Sequence, residues 1–195
     1  MKIKGCSVMN PPPFAEGETK PQTVRLFFAL WPDVDIRSDL EQLSIQMHAL
    51  CGGRRTRAEA IHITLAFLGD IPVKRAGELC ALAAQLQCNA FDCELTQLGW
   101  WHNRIAWVAP VLVPQAMTML VRELQCRLKT AGFEVDVRAY FPHVSLLRKT
   151  DCSLPLPIIA PIKWSVRDFV LVASVLSEYG PTYEIIGRWP LLATL

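Results

Sequence analysis

Apolar positions along this chain follow two periods, and the switches between them mark out the elements. Residues 25–31 form a short apolar, aromatic-rich run, which predicts a strand that Pro32 and Asp33 end while opening a helix. Ile36, Leu40, Leu43, Met47 and Leu50 then recur at steps of four and three, which sets them on one helical face. Gly52 and Gly53 close that helix, since glycine is best suited to the position just past a helix end. A basic link with Arg54, Arg55 and Arg57 leads to an apolar strand that ends at Gly69 and Asp70. Pro72 is placed for the first turn of a second helix, with Leu79, Leu82, Ala83 and Leu86 inward. Residues 91–98 and 105–111 read as strands joined across 99–104. Pro114 opens a third helix that buries Met117, Leu120, Val121, Leu124 and Leu128, and Gly132 closes it. Residues 134–138 alternate, 140–142 lead into an apolar strand, and proline-rich 154–161 is a connection. Strands over 164–166, 169–176 and 182–189 finish the chain. Three helices among eight or more strands, several neighbours antiparallel, make an α+β pattern rather than a strictly alternating α/β one.

Two of these strands carry the same interruption. His62 and Thr64 lie two residues apart in one, His143 and Ser145 in the other. Successive strand side chains point to opposite faces, so each pair shares a face. Ile61, Ile63, Leu65 and Phe67 are expected on the opposite face of the first strand, and Val144 and Leu146 on that of the second. A single H-x-[ST] has little specificity, because a histidine in a strand is commonly a satisfied core or surface residue. Two copies with matching flanks, Ile-Thr-Leu and Val-Ser-Leu, point to a site.

Composition narrows the setting. The chain has 195 residues, of which 51% are apolar and 19% charged, which suits a globular protein. Residues 1–22 hold Pro11, Pro12, Pro13 and Pro21 and almost no periodicity, so a flexible tail is expected before a single domain over 23–195. A net charge of +2 is too small for bulk attraction to a polyanion, so phosphate contacts must come from a few placed cations. No apolar run approaches the length of a membrane span, and no secretory signal core is evident, so a soluble cytoplasmic monomer is expected. The seven cysteines contain no C-x-x-C pair and read as reduced thiols. Neither they nor the four histidines cluster at ligand spacing, so no metal and no cofactor are expected.

Two imidazoles facing each other divide acid and base work, one taking a proton as the other delivers one. Phosphodiester cleavage suits that division, since the attacking oxygen loses a proton and the departing one gains it. Thr64 and Ser145 place a hydroxyl donor beside each histidine, and Arg148 adds a fork of N–H groups for phosphate oxygens. His48, on the first helix, and His102, in a loop, are given no role.

The pair H-I-T-L and H-V-S-L resembles the two H-x-T-x motifs of the two-histidine phosphoesterase superfamily. The wider context, R-L-F-F-A-L-W-P at 25–32, H-I-T-L-A-F-L-G-D at 62–70, P-H-V-S-L-L-R at 142–148 and Y-E-I-I-G-R-W-P-L at 183–191, resembles bacterial RNA 2′,3′-cyclic phosphodiesterases, also described as 2′-5′ RNA ligases. The resemblance runs over about residues 24–192. It implies a bilobal α+β fold, two pseudo-symmetric lobes each with an antiparallel sheet and outer helices, and an active-site cleft between them. It implies metal-independent hydrolysis of a terminal 2′,3′-cyclic phosphate on RNA, or on a nucleotide, to a 2′-phosphomonoester, with 2′-5′ ligation attributed to the same family. His62 then matches the proton donor to the leaving 3′ oxygen and His143 the proton acceptor that activates water; spacing alone does not order these roles. Ser145 stands where the family more often has threonine, which keeps the hydroxyl and loses a stiffening methyl.

RNA ends are commonly held by stacking, for which Trp100 and Trp101 are candidates, although sheet-edge packing accounts for them equally well. Arg54, Arg55 and Arg57 could guide a phosphate backbone or simply be solvated. Two alternatives stand beside the enzyme: a module that binds RNA ends or cyclic nucleotides without turnover, and a phosphodiesterase for a small cyclic phosphate metabolite.

Overall fold

The computed structural model describes residues 22–102, 104–136, 138–152, 155–177 and 180–193. The expected tail, apart from Gln22, lies outside the described residues, as does Leu154 of the proline-rich connection. The elements are β1 (Thr23–Leu30), α1 (Val34–Cys51), β2 (Arg54–Arg55), β3 (Ile63–Pro72), α2 (Ala76–Ala84), β4 (Phe91–Leu95), β5 (Gln97–Trp101), β6 (Ile105–Ala109), α3 (Gln115–Thr130), β7 (Val144–Arg148), β8 (Ile162–Val166), β9 (Asp168–Ser177) and β10 (Gly180–Pro190). Asp33 caps α1, its Oδ1 accepting from the Ile36 N–H at 2.9 Å, which satisfies one of the orphan donors of the first turn. The Gly52 N–H closes the other end on the His48 carbonyl. Leu40, Leu43 and Met47 face inward as expected, but Leu50 is 49% exposed and Cys51 takes the inner position, one step of four after Met47. All five inward positions expected of α3 are buried.

Three expectations are corrected. Pro72 does not start a helix: pairing with β1 carries β3 through to the Thr23↔Pro72 step, and a short turn at Val73–Arg75 precedes α2. Of the expected α2 face only Leu79 and Ala83 are fully buried. The run 91–98 is two strands in different sheets, because β4 pairs with β8 while β5 pairs with β6.

The main sheet runs in the order β10-β9-β1-β3-β7-β6-β5, with β2 added to β7, and each of its pairings is antiparallel. Its two halves meet through one register pair, Ile63↔Val144, between β3 and β7. The helices cross that seam: α1, which follows β1, packs on β7, and α3, which follows β6, packs on β3. Each half is thus covered by a helix from the other half. Phe28, Leu30, Ile63, Val144, Leu146, Leu40 and Leu124 sit in one continuous core. Each fully buried side chain of this kind contributes about 1.5–3 kcal/mol, so the core binds the halves far more strongly than the single strand contact does. Ser44 on α1, itself buried, donates to the Leu146 carbonyl at 3.1 Å across the same seam.

The cysteine expectation is also corrected. The end of α1 and the chain after β7 come together beside β2, and Cys51 and Cys152 are joined as a disulfide with their Cα atoms 4.7 Å apart. Among the described residues no helix is long and apolar enough to cross a membrane.

Candidate active site

The seam between β3 and β7 carries the two histidines. With Ile63 opposite Val144, the antiparallel register continues to set His62 beside Ser145 and Thr64 beside His143. Each strand then has an irregularity at the third residue after its histidine. In β3, Leu65 stands between the pairs Ala29↔Thr64 and Phe28↔Ala66; in β7, Leu146 stands between Trp107↔Ser145 and Ala106↔Leu147. An extra residue in one strand resets the alternation. The residue five after each histidine therefore returns to the face of the hydroxyl. In β7 that residue is Arg148, whereas in β3 it is Phe67, which is 48% exposed and not on the core face where unbroken alternation put it.

Both imidazoles are oriented by the same device. His62 Nδ1 lies 2.8 Å from the Ala60 carbonyl and His143 Nδ1 lies 2.9 Å from the Phe141 carbonyl. A carbonyl only accepts, so in each ring Nδ1 carries the proton and Nε2 is left basic in the neutral form. His62 Nε2 accepts from the Thr64 hydroxyl at 3.2 Å. Aromatic rings enclose His62: Trp31 lies parallel to it at 5.4 Å between centroids, Phe27 is tilted at 4.9 Å, and Tyr183 stands edge-on at 5.5 Å. Phe27 belongs to a small second cluster on the site face of the sheet, with Ala29, Val170 and Val172. Burial pushes the His62 pKa down from 6.5 to about 4; the Ala60 carbonyl opposes this, and the charges of Arg148 and His143 add to it. His143 is lowered as well, by burial first and then by Arg148, with the Phe141 carbonyl opposing.

His62, Thr64, His143, Ser145 and Arg148 line one cavity of about 350 Å³, whose wall also includes Arg54, Arg55, Arg57 and Tyr183. The expectation of an irregular basic link is not met, since Arg54 and Arg55 form β2 against β7. A second cavity of about 490 Å³ shares Thr64 and His143 with the first and is lined by Phe67, Trp101 and Phe141 among others. Trp101 stands edge-on to His143 at 4.6 Å. Trp100 is not brought to the site: strand alternation turns it to the other face, where it packs on the core and against His102. Sequence reading gave no role to Trp31, Phe27, Phe67, Phe141 or Tyr183. The one signal for Phe27, Trp31, Phe67 and Tyr183 was their place in the stretches that carry the resemblance; Phe141, just before Pro142, had none.

A family profile described as LigT like Phosphoesterase matches residues 30–107. An Escherichia coli (strain K12) protein named RNA 2′,3′-cyclic phosphodiesterase is 30% identical over 171 residues, covering 86% of this chain and 96% of the relative. A Geobacillus stearothermophilus protein of the same name is 34% identical over 148 residues, 69% of this chain and 46% of that protein. The crystal structure of E. coli LigT complexed with 3′-AMP superposes with a TM-score of 0.80 at 27% identity, over 87% of this chain and 99% of that one. With such agreement along nearly the whole length of the E. coli relative, from β1 through both histidine strands, the chain belongs to the LigT-like phosphoesterase family.

Proposed function

We propose that this protein hydrolyses the terminal 2′,3′-cyclic phosphate of RNA or of a nucleotide to a 2′-phosphomonoester, as one chain that supplies every reacting group. The observation that carries this is the meeting of both H-x-[ST] pairs and Arg148 in one cavity at the Ile63↔Val144 seam. Water attacks phosphorus as the bond to the 3′ oxygen breaks. His143 Nε2 takes the water proton, and His62, protonated at Nε2, gives a proton to the departing 3′ oxygen. The product holds a 2′-phosphate and a free 3′-hydroxyl, and solvent exchange returns each histidine to its starting state. Charge that builds on the equatorial oxygens is met by Arg148 and by the hydroxyls of Thr64 and Ser145.

Burial lowers both imidazoles below the ordinary histidine value, which favours the neutral ring and suits the base at once. The acid is charged when an anionic phosphate arrives, because a negative charge beside the ring favours imidazolium against the burial and the Arg148 charge that depress it. A ribose 5′-hydroxyl in the place of water gives a 2′-5′ linkage by the same bond changes. The nucleobase stacks in the neighbouring aromatic cavity, against Trp101 and the unanticipated Phe67 and Phe141.

The test is a phosphorus NMR time course on adenosine 2′,3′-cyclic phosphate with wild type, His62→Ala and His143→Ala. Each substitution should slow formation of the 2′-monoester by roughly 100-fold or more with the fold retained, and EDTA should change nothing. Full activity in either variant, sensitivity to chelation, or binding with no new monoester resonance would refute the proposal.

A further inference from the structure

The catalytic cavity carries more positive charge than one cyclic phosphate calls for. Such a phosphate is a monoanion, and Arg148 with two hydroxyls and two imidazoles already serves it. Yet Arg54 and Arg55 line the same cavity. Their pairing makes their presence costly: Arg54 lies directly opposite Arg148 across β2 and β7, and like charges so placed, with Cβ atoms about 5 Å apart, destabilise a strand pair. Six arginines elsewhere, Arg25, Arg75, Arg127, Arg138, Arg167 and Arg188, are each set against a carboxylate. Among the described residues Arg54, Arg55 and Arg148 have no carboxylate partner; Arg37, Arg104 and Arg122 lack one too, but none of those three lines this cavity. Arg57 at the rim is already taken up by Glu59 at 3.2 Å and by the Pro181 carbonyl.

The backbone that presents the two arginines is fixed. The Thr56 N–H donates to the Leu146 carbonyl at 2.8 Å, the Thr150 hydroxyl donates to the Cys51 carbonyl at 2.8 Å, and Gly53 lies flat against Arg148 and Thr150. Arg54, directly opposite Arg148, and Arg55, the next residue of the strand and also in the cavity wall, add cationic donors for a second anion. The 5′ carbon is borne by the same ribose as the cyclic phosphate, so with that phosphate between the histidines a phosphate on the 5′ carbon stays within reach of this cavity wall.

We propose that Arg54 and Arg55 form a second phosphate subsite, which takes the phosphate on the 5′ carbon of the nucleoside whose cyclic phosphate lies between His62 and His143. The subsite rests on the hydrolase reading above and specifies its substrate: a cyclic-phosphate terminus that carries a further phosphate. That group is either a 5′-monoester or the internucleotide phosphate of an RNA end, and both offer the same anionic oxygens to the guanidinium forks.

The experiment compares kcat/KM on adenosine 2′,3′-cyclic phosphate, its 5′-phosphorylated form and a dinucleotide ending in a 2′,3′-cyclic phosphate, for wild type and Arg54→Ala/Arg55→Ala. Wild type should favour one or both substrates with the second phosphate by roughly tenfold or more, and the preference should fall as salt rises. In the double variant that ratio should collapse to near one. Preference for the 5′-monoester alone names that group as the ligand, and a gain shared by the dinucleotide names the internucleotide phosphate. A direct measurement on wild type needs no variant to fold: by calorimetry adenosine 2′,5′-bisphosphate should bind roughly tenfold or more tightly than adenosine 2′-phosphate. Equal affinity for the two, equal turnover of all three substrates by wild type, or a ratio that persists in the double variant would overturn the subsite while leaving hydrolysis intact. Failure of wild type to turn over any of them would overturn both.

Discussion

Replacing His62 by glutamine should flatten the pH dependence of stability on the acid side of neutrality. In the folded chain the imidazole takes up a proton only near pH 4, against 6.5 for the free group, because burial behind aromatic rings penalises the charged form. The unfolded chain takes that proton near pH 6.5. Between these values the unfolded state binds more protons than the folded one, so stability rises with pH and falls on acidification. The whole interval, at 1.36 kcal/mol per unit, is about 3 kcal/mol, and most of it is felt by pH 5. Water at the mouth of the cavity screens a half-buried ring, so about 1–2 kcal/mol is the expected loss between pH 7 and 5 from His62 alone. His143, lowered as well, adds in the same sense. Glu78, Asp92 and Asp136, whose pKa values are lowered, lose their contributions only below the ordinary carboxylate range, so they leave this window clear. Urea unfolding at pH 7, 6 and 5 measures the effect: with a slope of about 2 kcal/mol/M, the wild-type midpoint should fall by about 0.5–1 M from His62 alone, and His62→Gln should recover that share. Millimolar inorganic phosphate should shrink the wild-type drop, since the anion favours the charged ring. A glutamine variant whose midpoint falls as steeply as wild type would refute the reasoning.

Two further substitutions test how the site is held. Gly53→Ala should cost about 1–3 kcal/mol and lower kcat/KM, because Gly53 sits at φ +85°, where an added Cβ would lie 2.8 Å from the Arg148 carbonyl oxygen and 2.9 Å from Thr150 Cβ; thermal unfolding and turnover of the cyclic nucleotide check it, and a variant equal to wild type in both counts against the described packing. Trp31→Ala should raise the His62 titration midpoint from about 4 toward 6.5, as followed by the NMR shift of the ring Cε1–H, because it removes a ring stacked within 4° of parallel; an unmoved midpoint would mean that Trp31 does not shield the imidazole.

What could be read without coordinates was whatever depends on a residue and its near neighbours. The α3 face was legible because a helix keeps its period whatever packs on it, and all five positions are buried. The two polar pairs were legible for the same reason, since two residues along a strand share a face unless something intervenes. Phe67 was not legible, because the irregularity at Leu65 is set by how β1 pairs with β3 and not by the local sequence. The arginines of β2 read as a link because a two-residue strand exists only by virtue of its partner, β7. Trp31 ends the apolar run 25–31, but nothing in that run names its partner, and its ring finds His62 only because β1 and β3 are neighbours in the sheet. In each case the missing information was a partner distant along the chain.

The matched irregularities also bear on how a nearly symmetric site comes to have direction. A histidine, a hydroxyl at the second residue after it and an inward side chain at the fifth are generated twice around the Ile63↔Val144 pair. Had both fifth positions been arginine, a nucleotide would meet equal surroundings in two opposite orientations, and neither histidine would have a fixed task. Arg148 on one strand and Phe67 on the other break that equivalence, and Arg54 and Arg55 beside Arg148 extend the break in the same sense. On the proposed reaction, phosphate is drawn to one side and the base to the other. The histidines differ accordingly: His62 is closed in by Trp31, Phe27 and Tyr183, while His143 borders both cavities. An acid that must hand its proton to one buried oxygen gains from enclosure, and a base that must meet incoming water gains from a second opening. On the proposed reaction, the assignment of His62 as donor and His143 as acceptor thus acquires a physical reason that neither H-x-[ST] motif contains by itself.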